Sequence, residues 1–230
     1  RPETDQEEVA RLMARYNVSS MPVVSADDRL LGRITFDDVL DVGEAEATED
    51  LLRFGGVSAD EDLRAGWTEA VRSRLPWLLV NMVTAYVAAM VPLYFDRTIE
   101  RISFVAAYMG MVAGMGGNTG TQALAVNVRR LALGLIDFNQ FGSVIRKELA
   151  VGAVNSLVVG IVAGTGAGLI QRNALFGLAV FITMNANLIV AGFAGAFIPL
   201  LLKRVGVDPA LASSVFVTTL TDICGFFLLL

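Results

Sequence analysis

Five long apolar stretches dominate this sequence and limit the folds open to it. Each is near or above the ~20 residues that a helix needs to cross a bilayer, and they lie at about 75–95, 102–128, 149–170, 174–202 and 209–230. Hydrophobic residues make up 54% of the 230 residues, which is too apolar for an ordinary soluble protein of this size. The sequence therefore predicts a mainly α fold built around a five-helix transmembrane bundle, with residues 74–230 as the membrane domain.

The charges divide the chain in two. Residues 1–62 carry 16 acids and 6 bases, whereas residues 63–230 carry 7 acids and 12 bases. The chain has no histidine and a single cysteine, Cys224, which excludes a disulfide framework and any Ser-His or Cys-His nucleophile. A metal handled by such a chain is expected to be a hard, oxygen-liganded ion such as magnesium or calcium.

Basic residues fall in alternate loops of the apolar region. They precede the first span, fill the loop after the second, and precede the fifth: Arg64, Arg72, Arg74, Arg129, Arg130, Arg146, Lys147, Lys203 and Arg204. Because basic loops stay in the cytoplasm, we expect a multi-pass protein of the plasma membrane with a cytoplasmic N-terminus and an external C-terminus.

The first 43 residues have the pattern of a small α/β unit. Apolar residues recur at helical spacing between Asp5 and Tyr16, two strands follow over 18–24 and 30–35, and a second helix runs from Phe36 to Val42 with Thr35 as its cap. Residues 44–73 then form an acidic connecting region. Its composition alone fits a solvated linker helix. Because the chain begins at Arg1 without an apolar leader, we expect it to be part of a longer protein.

The second apolar stretch contains the most unusual run in the chain, Gly114-Met115-Gly116-Gly117-Asn118-Thr119-Gly120-Thr121-Gln122. The run has no P-loop lysine and does not follow a soluble strand, so it does not predict a nucleotide site. Polar residues and glycines at membrane depth occur in a protein interior or beside a water-filled cavity. Two interpretations stay open, a pore lining and a point where helices cross.

A carboxylate lies deep in the fifth stretch. Asp222 comes roughly 20 Å beyond Pro209 at ~1.5 Å per helical residue, and no basic residue in the stretch could pair with it. Ser214, Thr218, Thr221 and Gly225 fall on the same helical face. The pattern predicts a polar stripe that ends in an ion-binding carboxylate, with a protonated, packing aspartic acid as the alternative.

The third stretch carries small residues at every fourth position, namely Gly152, Ser156, Gly160, Gly164 and Gly168. Such a ridge lets two helices pack closely. We therefore assign it a structural role and no chemistry.

These features resemble the MgtE family of magnesium channels. The resemblance rests on Gly116-Gly117-Asn118-Thr119-Gly120-Thr121-Gln122, on Val207-Asp208-Pro209-Ala210, and on Thr218-Thr219-Leu220-Thr221-Asp222-Ile223-Cys224-Gly225. The N-terminal unit, with Met21-Pro22-Val23-Val24 and Leu31-Gly32-Arg33-Ile34-Thr35-Phe36, looks like most of one CBS domain.

The resemblance implies a homodimeric pore in the lipid bilayer that carries Mg²⁺, and other divalent cations are possible cargo. Its implied ion ligands are Asp222, the Thr218 carbonyl and Ser214, with Mg²⁺ keeping most of its waters. The implied pore lining is Gly114, Gly116, Gly117, Asn118, Thr119, Gln122, Thr221 and Gly225. Gly110 stands where relatives often carry proline.

The resemblance also implies a gate in the intact protein. In this family the acidic connecting helix acts as a plug that Mg²⁺ holds against the CBS unit. The matching carboxylates here are Glu7, Asp38, Asp41, Glu46, Glu49 and Asp50. Asn17 stands where an acid is expected. A complete CBS pair would offer a nucleotide site, and no nucleic-acid partner is implied.

Two other functions remain open from the sequence. A secondary transporter coupled to sodium or protons would show flux that depends on the coupling gradient. An intramembrane enzyme would need a second buried acid beside Asp222, yet Asp96, Glu100, Asp137 and Glu148 lie near span ends. We therefore expect no enzymatic activity. Selectivity among Mg²⁺, Mn²⁺, Co²⁺ and Ca²⁺ depends on pore width, which the sequence does not give.

Overall fold

The computed structural model describes residues 1–58, 66–136, 140–210 and 213–230. Eight helices and one two-stranded sheet occupy these ranges. In chain order they are α1 (Gln6–Tyr16), β1 (Ser20–Val24), β2 (Leu30–Thr35), α2 (Phe36–Phe54), α3 (Trp67–Tyr94), α4 (Asp96–Arg101), α5 (Val105–Ala132), α6 (Phe141–Ile170), α7 (Ala174–Val205) and α8 (Ser213–Leu229). The mainly helical class with a small α/β unit is confirmed.

The N-terminal unit has the predicted order of helix, two strands and helix. The side chain of Asp5 caps α1 by accepting the backbone N–H of Glu7 at 2.9 Å, which satisfies a donor that the first helical turn leaves free. Strands β1 and β2 pair antiparallel, with Met21 opposite Ile34. The helix after β2 begins at the predicted Thr35 cap.

The helix predicted to end at Val42 and the connecting helix predicted after it are one element in the structure, while the domain division at residues 43 and 44 stays a prediction. Helix α2 runs without interruption from Phe36 to Phe54. Gly43 lies inside it, and a single glycine weakens a helix without ending it. One rigid element therefore joins the α/β unit to the connecting segment. Of the predicted connecting region, residues 59–65, which include Arg64, lie outside the described residues.

Among the described helices, α3, α6 and α7 are long and apolar enough to cross a membrane. Helix α5 also has 28 residues, but the glycine and amide run lowers its apolar content. The described part of α8 is a shorter apolar helix. Of the predicted fifth stretch, residues 211 and 212 fall outside the description, as does Asp137 between α5 and α6.

Helix α7 is the centre of the bundle, since α5, α6 and α8 all pack against it. The α6–α7 contact is the most extensive, and it runs along the small-residue ridge that the sequence predicted. Gly152, Ser156, Gly160 and Gly164 are buried on the side of α6 that meets α7. This structural role of the ridge is confirmed.

The end of α2 reaches this bundle. Phe54 packs on a core cluster that joins α5, α7 and α8 through Leu124, Ala194 and Val217. Helix α3 contacts the rest of the bundle mainly through α8 and leaves large apolar side chains such as Leu78, Val83 and Tyr86 exposed. The N-terminal unit is thus mechanically connected to the same three helices that hold the candidate site.

Replacing Gly164 with valine is expected to destabilise the bundle. A Cβ atom at Gly164 would lie 2.7 Å from the Gly177 carbonyl oxygen, so α6 and α7 would have to move apart. Overpacking of this kind costs about 1–3 kcal/mol. The measurement is thermal unfolding in detergent, with Gly166→Val as the matched control, because a Cβ at Gly166 meets no atom within 4 Å. Equal melting temperatures for the two variants would contradict the assignment.

Candidate metal site

Asp222 lies on α8 in a half-buried position. In the described part of the chain it has no ion-pair or hydrogen-bond partner, so its carboxylate is free to bind a ligand. In the turn of α8 that precedes Asp222, threonine hydroxyl groups donate hydrogen bonds to backbone carbonyls of the same helix. The Thr221 hydroxyl donates to the Thr218 carbonyl at 2.9 Å, and the Thr218 hydroxyl donates to the Ser214 carbonyl at 3.0 Å. The roles predicted for Thr218 and Ser214 as ion ligands stay predictions.

The polar stripe predicted on α8 divides between two environments. Thr221 and Gly225 are buried, facing α5 and α7, whereas Asp222 is half-buried. The angle of about 100° between consecutive helical residues accounts for this difference. The carboxylate therefore lies at the edge of the buried face.

The glycine run of α5 also shows two faces, and it is continuous helix. Gly116 and Gly120 are buried at the crossing with α7 and α8, where a Cβ on Gly120 would lie 2.4 Å from Val217 Cγ1. A Cβ on Gly117 would lie 3.7 Å from Thr218 Cγ2, in ordinary contact with α8. Gly114, Asn118 and Gln122 are exposed, and Thr119 is half-buried.

Different residues of the run therefore fit the two interpretations, the helix crossing and the pore lining. Gly116 and Gly120 are at a helix crossing, and the exposed residues are free to line a path between copies or helices. The pore-lining role of the run, like that of Thr221 and Gly225, stays a prediction.

A functional candidate that the sequence reasoning missed lies on α7. Asn187 is fully buried, and its Nδ2 donates to the Val112 carbonyl of α5 at 3.0 Å. The available signal was a polar amide in the middle of the apolar stretch 174–202. That signal alone does not show which helices the amide contacts.

The second group of candidate ligands lies where α1 and α2 meet the bundle. Four of the six predicted regulatory acids line one cavity of about 220 Å³, together with Arg53, Lys203 and Asp208. These four are Glu7, Glu46, Glu49 and Asp50. Within the described ranges, no three acidic or cysteine side chains are grouped so as to hold a metal directly. Contact with an ion through retained water fits this spacing.

Crowding of the acids perturbs their protonation. Burial raises the pKa of Glu7 to about 7, and a hydrogen bond with Glu46 and the charges of Glu46, Asp5 and Asp50 add to the effect. Burial likewise raises the pKa of Asp50, with Glu46 adding to it and Arg129 opposing it. The cavity therefore favours the protonated forms of Glu7 and Asp50 more than water does.

The other two predicted acids lie apart from the cavity. Asp38 accepts the Thr35 backbone N–H at 2.8 Å and the Thr35 hydroxyl at 2.7 Å. The backbone hydrogen bond from Thr35 lowers the pKa of Asp38, with the hydroxyl adding to the shift. Asp41 is exposed on α2. The structure thus gives Asp38 a helix-capping role, and its regulatory role stays a prediction.

Arg53 connects α2 to the turn before α8. Its guanidinium forms ion pairs with Glu49 on its own helix and with Asp208. Asp208 in turn accepts the Ala210 backbone N–H at 2.8 Å. The Arg53–Asp208 ion pair therefore joins α2 to the segment that leads into the Asp222 helix.

Long apolar helices around a glycine-rich crossing, with a carboxylate at its edge, define the class of helical membrane proteins. Residues 109–230 match the MgtE family, described as divalent cation transporters, and residues 1–44 match the CBS domain. The chain belongs to the MgtE family.

Three relatives, each named magnesium transporter MgtE, match the chain over most of its length. The protein of Thermus thermophilus is 39% identical over 237 residues, covering 100% of this chain and 51% of the relative. Those of Enterococcus faecalis and Bacillus subtilis are 36% and 37% identical, each over 95% of this chain and 48% and 49% of the relative. The chain spans about half the length of these relatives. The predicted family is confirmed, and so is its placement among transporters and not enzymes.

The raised pKa of Glu7 predicts a pH-dependent contact between α1 and α2. An acid whose folded pKa exceeds its ordinary 4.5 stabilises the fold fully below that value, and the contribution is lost as the pH rises through about 7. In metal-free buffer, the protection factors of the α1 amides, which correct for the intrinsic acceleration of exchange with pH, should therefore fall between pH 5 and pH 8. Glu7→Gln should remove this dependence and Glu8→Gln should keep it. An unchanged pH profile in Glu7→Gln would contradict the assignment.

Removing the Arg53 guanidinium is expected to loosen α2. Arg53→Met keeps the apolar stem but leaves Asp208 and Glu49 without their cation, at a cost of roughly 0.5–1 kcal/mol for a partly exposed pair. That cost corresponds to about two- to fivefold faster amide exchange over the last two turns of α2. Arg33→Met, at an exposed position on β2, is the control. Parental exchange in Arg53→Met would show that the ion pairs do not hold the helix.

Proposed function

We propose that this chain is the ion-conducting part of a magnesium channel. The observation that carries the proposal is the half-buried Asp222 carboxylate, which has no basic partner in the described part of the chain. The family that the chain matches is described as divalent cation transporters. A charge held at membrane depth is costly unless a cation compensates it. A divalent cation moving along α8 supplies that compensation.

The bound ion is proposed to be hydrated Mg²⁺, which is cargo and not a resident cofactor. Mg²⁺ gives up its waters reluctantly, so one carboxylate per chain is a suitable partner for the hydrated ion. The Thr218 carbonyl and Ser214 are proposed to contact its waters. Other divalent cations are expected to follow the same path where the pore width admits them.

The proposed pore is shared by two copies of the chain in the plasma membrane. Helices α5 and α8 of each copy would line it, which brings the two Asp222 carboxylates to one axis. In this arrangement α5 and α8 cross the membrane with α3, α6 and α7, giving five spans. Basic residues at the ends of α5 and α7, such as Arg129 and Lys203, support a cytoplasmic N-terminus in this proposal.

The cavity between α1, α2 and the bundle is proposed to sense Mg²⁺ in the intact protein. Burial, with the charge of Glu46 adding to it, raises the pKa values of Glu7 and Asp50, so their ionised carboxylates are costly at this place. Mg²⁺ with its waters would neutralise them and favour the docked position of α2. Glu49 already forms an ion pair with Arg53, so we expect it to contribute less to Mg²⁺ binding than the other three acids. Nucleotide binding at a complete CBS pair stays a prediction.

Asp222→Ala and Asp222→Asn should both lower Mg²⁺ flux into liposomes at subsaturating Mg²⁺. A hydrogen bond to a charged group contributes about 1.5–3 kcal/mol, so losing the charge should reduce flux at least about tenfold. Asp96→Asn is the matched control, because Asp96 is an exposed acid at the start of α4.

The same liposomes test the channel mechanism. Flux should persist when the sodium and proton gradients are dissipated. Wild-type flux in both Asp222 variants would refute the ion site, and flux that stops without a coupling gradient would show a secondary transporter instead.

A further inference from the structure

Asn187 lies at the point where three helices meet. It belongs to α7 and is fully buried. Its Nδ2 donates to the Val112 carbonyl of α5 at 3.0 Å, while its Oδ1 has no hydrogen-bond partner among the described residues. A hydrogen bond to a backbone carbonyl ties α7 to α5 whatever side chain stands at position 112.

Two glycines leave room for this amide. A Cβ on Gly116 of α5 would lie 2.4 Å from Asn187 Nδ2, and a Cβ on Gly225 of α8 would lie 2.9 Å from the same atom. The first of these Cβ atoms would also be 3.1 Å from Thr221 Cβ. The amide therefore fills a space that α5 and α8 provide from opposite sides.

This packing fixes the rotation of α8. Thr221 and Gly225 are one turn apart on the helix and both are buried toward α5 and α7. Asp222 follows Thr221 and is turned about 100° from it, which leaves it half-buried at the edge of the crossing. A shift of Thr221 and Gly225 away from Asn187 would turn or displace Asp222.

We propose that Asn187 is a positioning residue for ion conduction, because its amide sets the spacing of α5 and α8 and thereby the place of Asp222. The inference rests on the proposed function of Asp222 as the ion site. It adds a residue that contacts no ion and acts through two helices. An amide with one buried oxygen left unpaired is a poor choice for stability alone, and this supports a role in geometry.

The main test replaces the amide with a side chain of similar size. Asn187→Leu should leave the melting temperature in detergent unchanged or higher, since the unpaired oxygen is gone, while Mg²⁺ flux into liposomes falls roughly 3- to 20-fold, the range spanned by one interhelical hydrogen bond. Asn185→Leu is the matched control, because the Asn185 Nδ2 donates to the Phe181 carbonyl of its own helix. The control should retain parental flux.

A cysteine pair reports the helix spacing without any flux measurement. Gly117→Cys and Thr218→Cys, in a Cys224→Ser background, place two thiols on facing positions of α5 and α8. Their disulfide yield should change when Asn187→Leu is added and stay constant when Asn185→Leu is added. This readout separates the two proposals, since it holds even if the Asp222 variants conduct normally.

A compensating pair covers the outcome in which Asn187→Leu lowers the melting temperature. Gly116→Ala alone should destabilise the bundle through its clash with the amide, and Asn187→Ala should relieve that clash. The double variant should regain most of the lost melting temperature, since the contact with Thr221 Cβ stays, but not the parental flux or disulfide yield. If flux or disulfide yield stays at the parental value in a folded Asn187 variant, the proposal is overturned.

Discussion

The crossing of α5, α7 and α8 is the contact on which the rest of the structure depends. Gly116 and Gly120 let the backbone of α5 approach, and Val217, Thr221 and Asn187 occupy the space that missing side chains leave. Helices in a membrane associate through close packing and interhelical hydrogen bonds, since lipid provides no hydrophobic driving force. Both are present here. The half-buried place of Asp222 is a consequence, because the residues on either side of it are fixed against this crossing.

The N-terminal unit contributes a group of acidic side chains that lie against the helix bundle. Helix α2 is continuous from the α/β unit to Phe54, which packs on the core of the bundle, and Arg53 pairs with Asp208 just before α8. The acids of α1 and α2 are therefore connected, through α2 and one ion pair, to the segment that precedes α8, the helix of Asp222. Burial, with the charges of Glu46, Asp5 and Asp50 adding to it, raises the pKa of Glu7, and a divalent cation beside these acids would offset the cost of ionising it.

Strong local patterns made much of this fold predictable. The four-residue spacing from Gly152 to Gly164 specifies a close α6–α7 contact, and the run from Asp5 to Thr35 specifies a helix, a hairpin and a capped second helix. The continuity of α2 was missed because acid-rich composition marks a change of environment and not the end of a helix. Asn187 was missed because its inferred positioning role depends on contacts with Gly116 and Gly225, and only tertiary packing brings these residues together. The two faces of the glycine run also required the packed structure.

The location of the ion tests the central claim most directly. Crystals of the proposed dimer soaked in Mn²⁺, as a scattering substitute for Mg²⁺, should give an anomalous peak between the two Asp222 carboxylates, at a distance that leaves water between metal and oxygen. Asp222→Asn crystals should lose this peak and retain any peaks near Glu7 and Glu46. An Mn²⁺ peak confined to the N-terminal acids, with none beside Asp222 in the parent protein, would contradict the account.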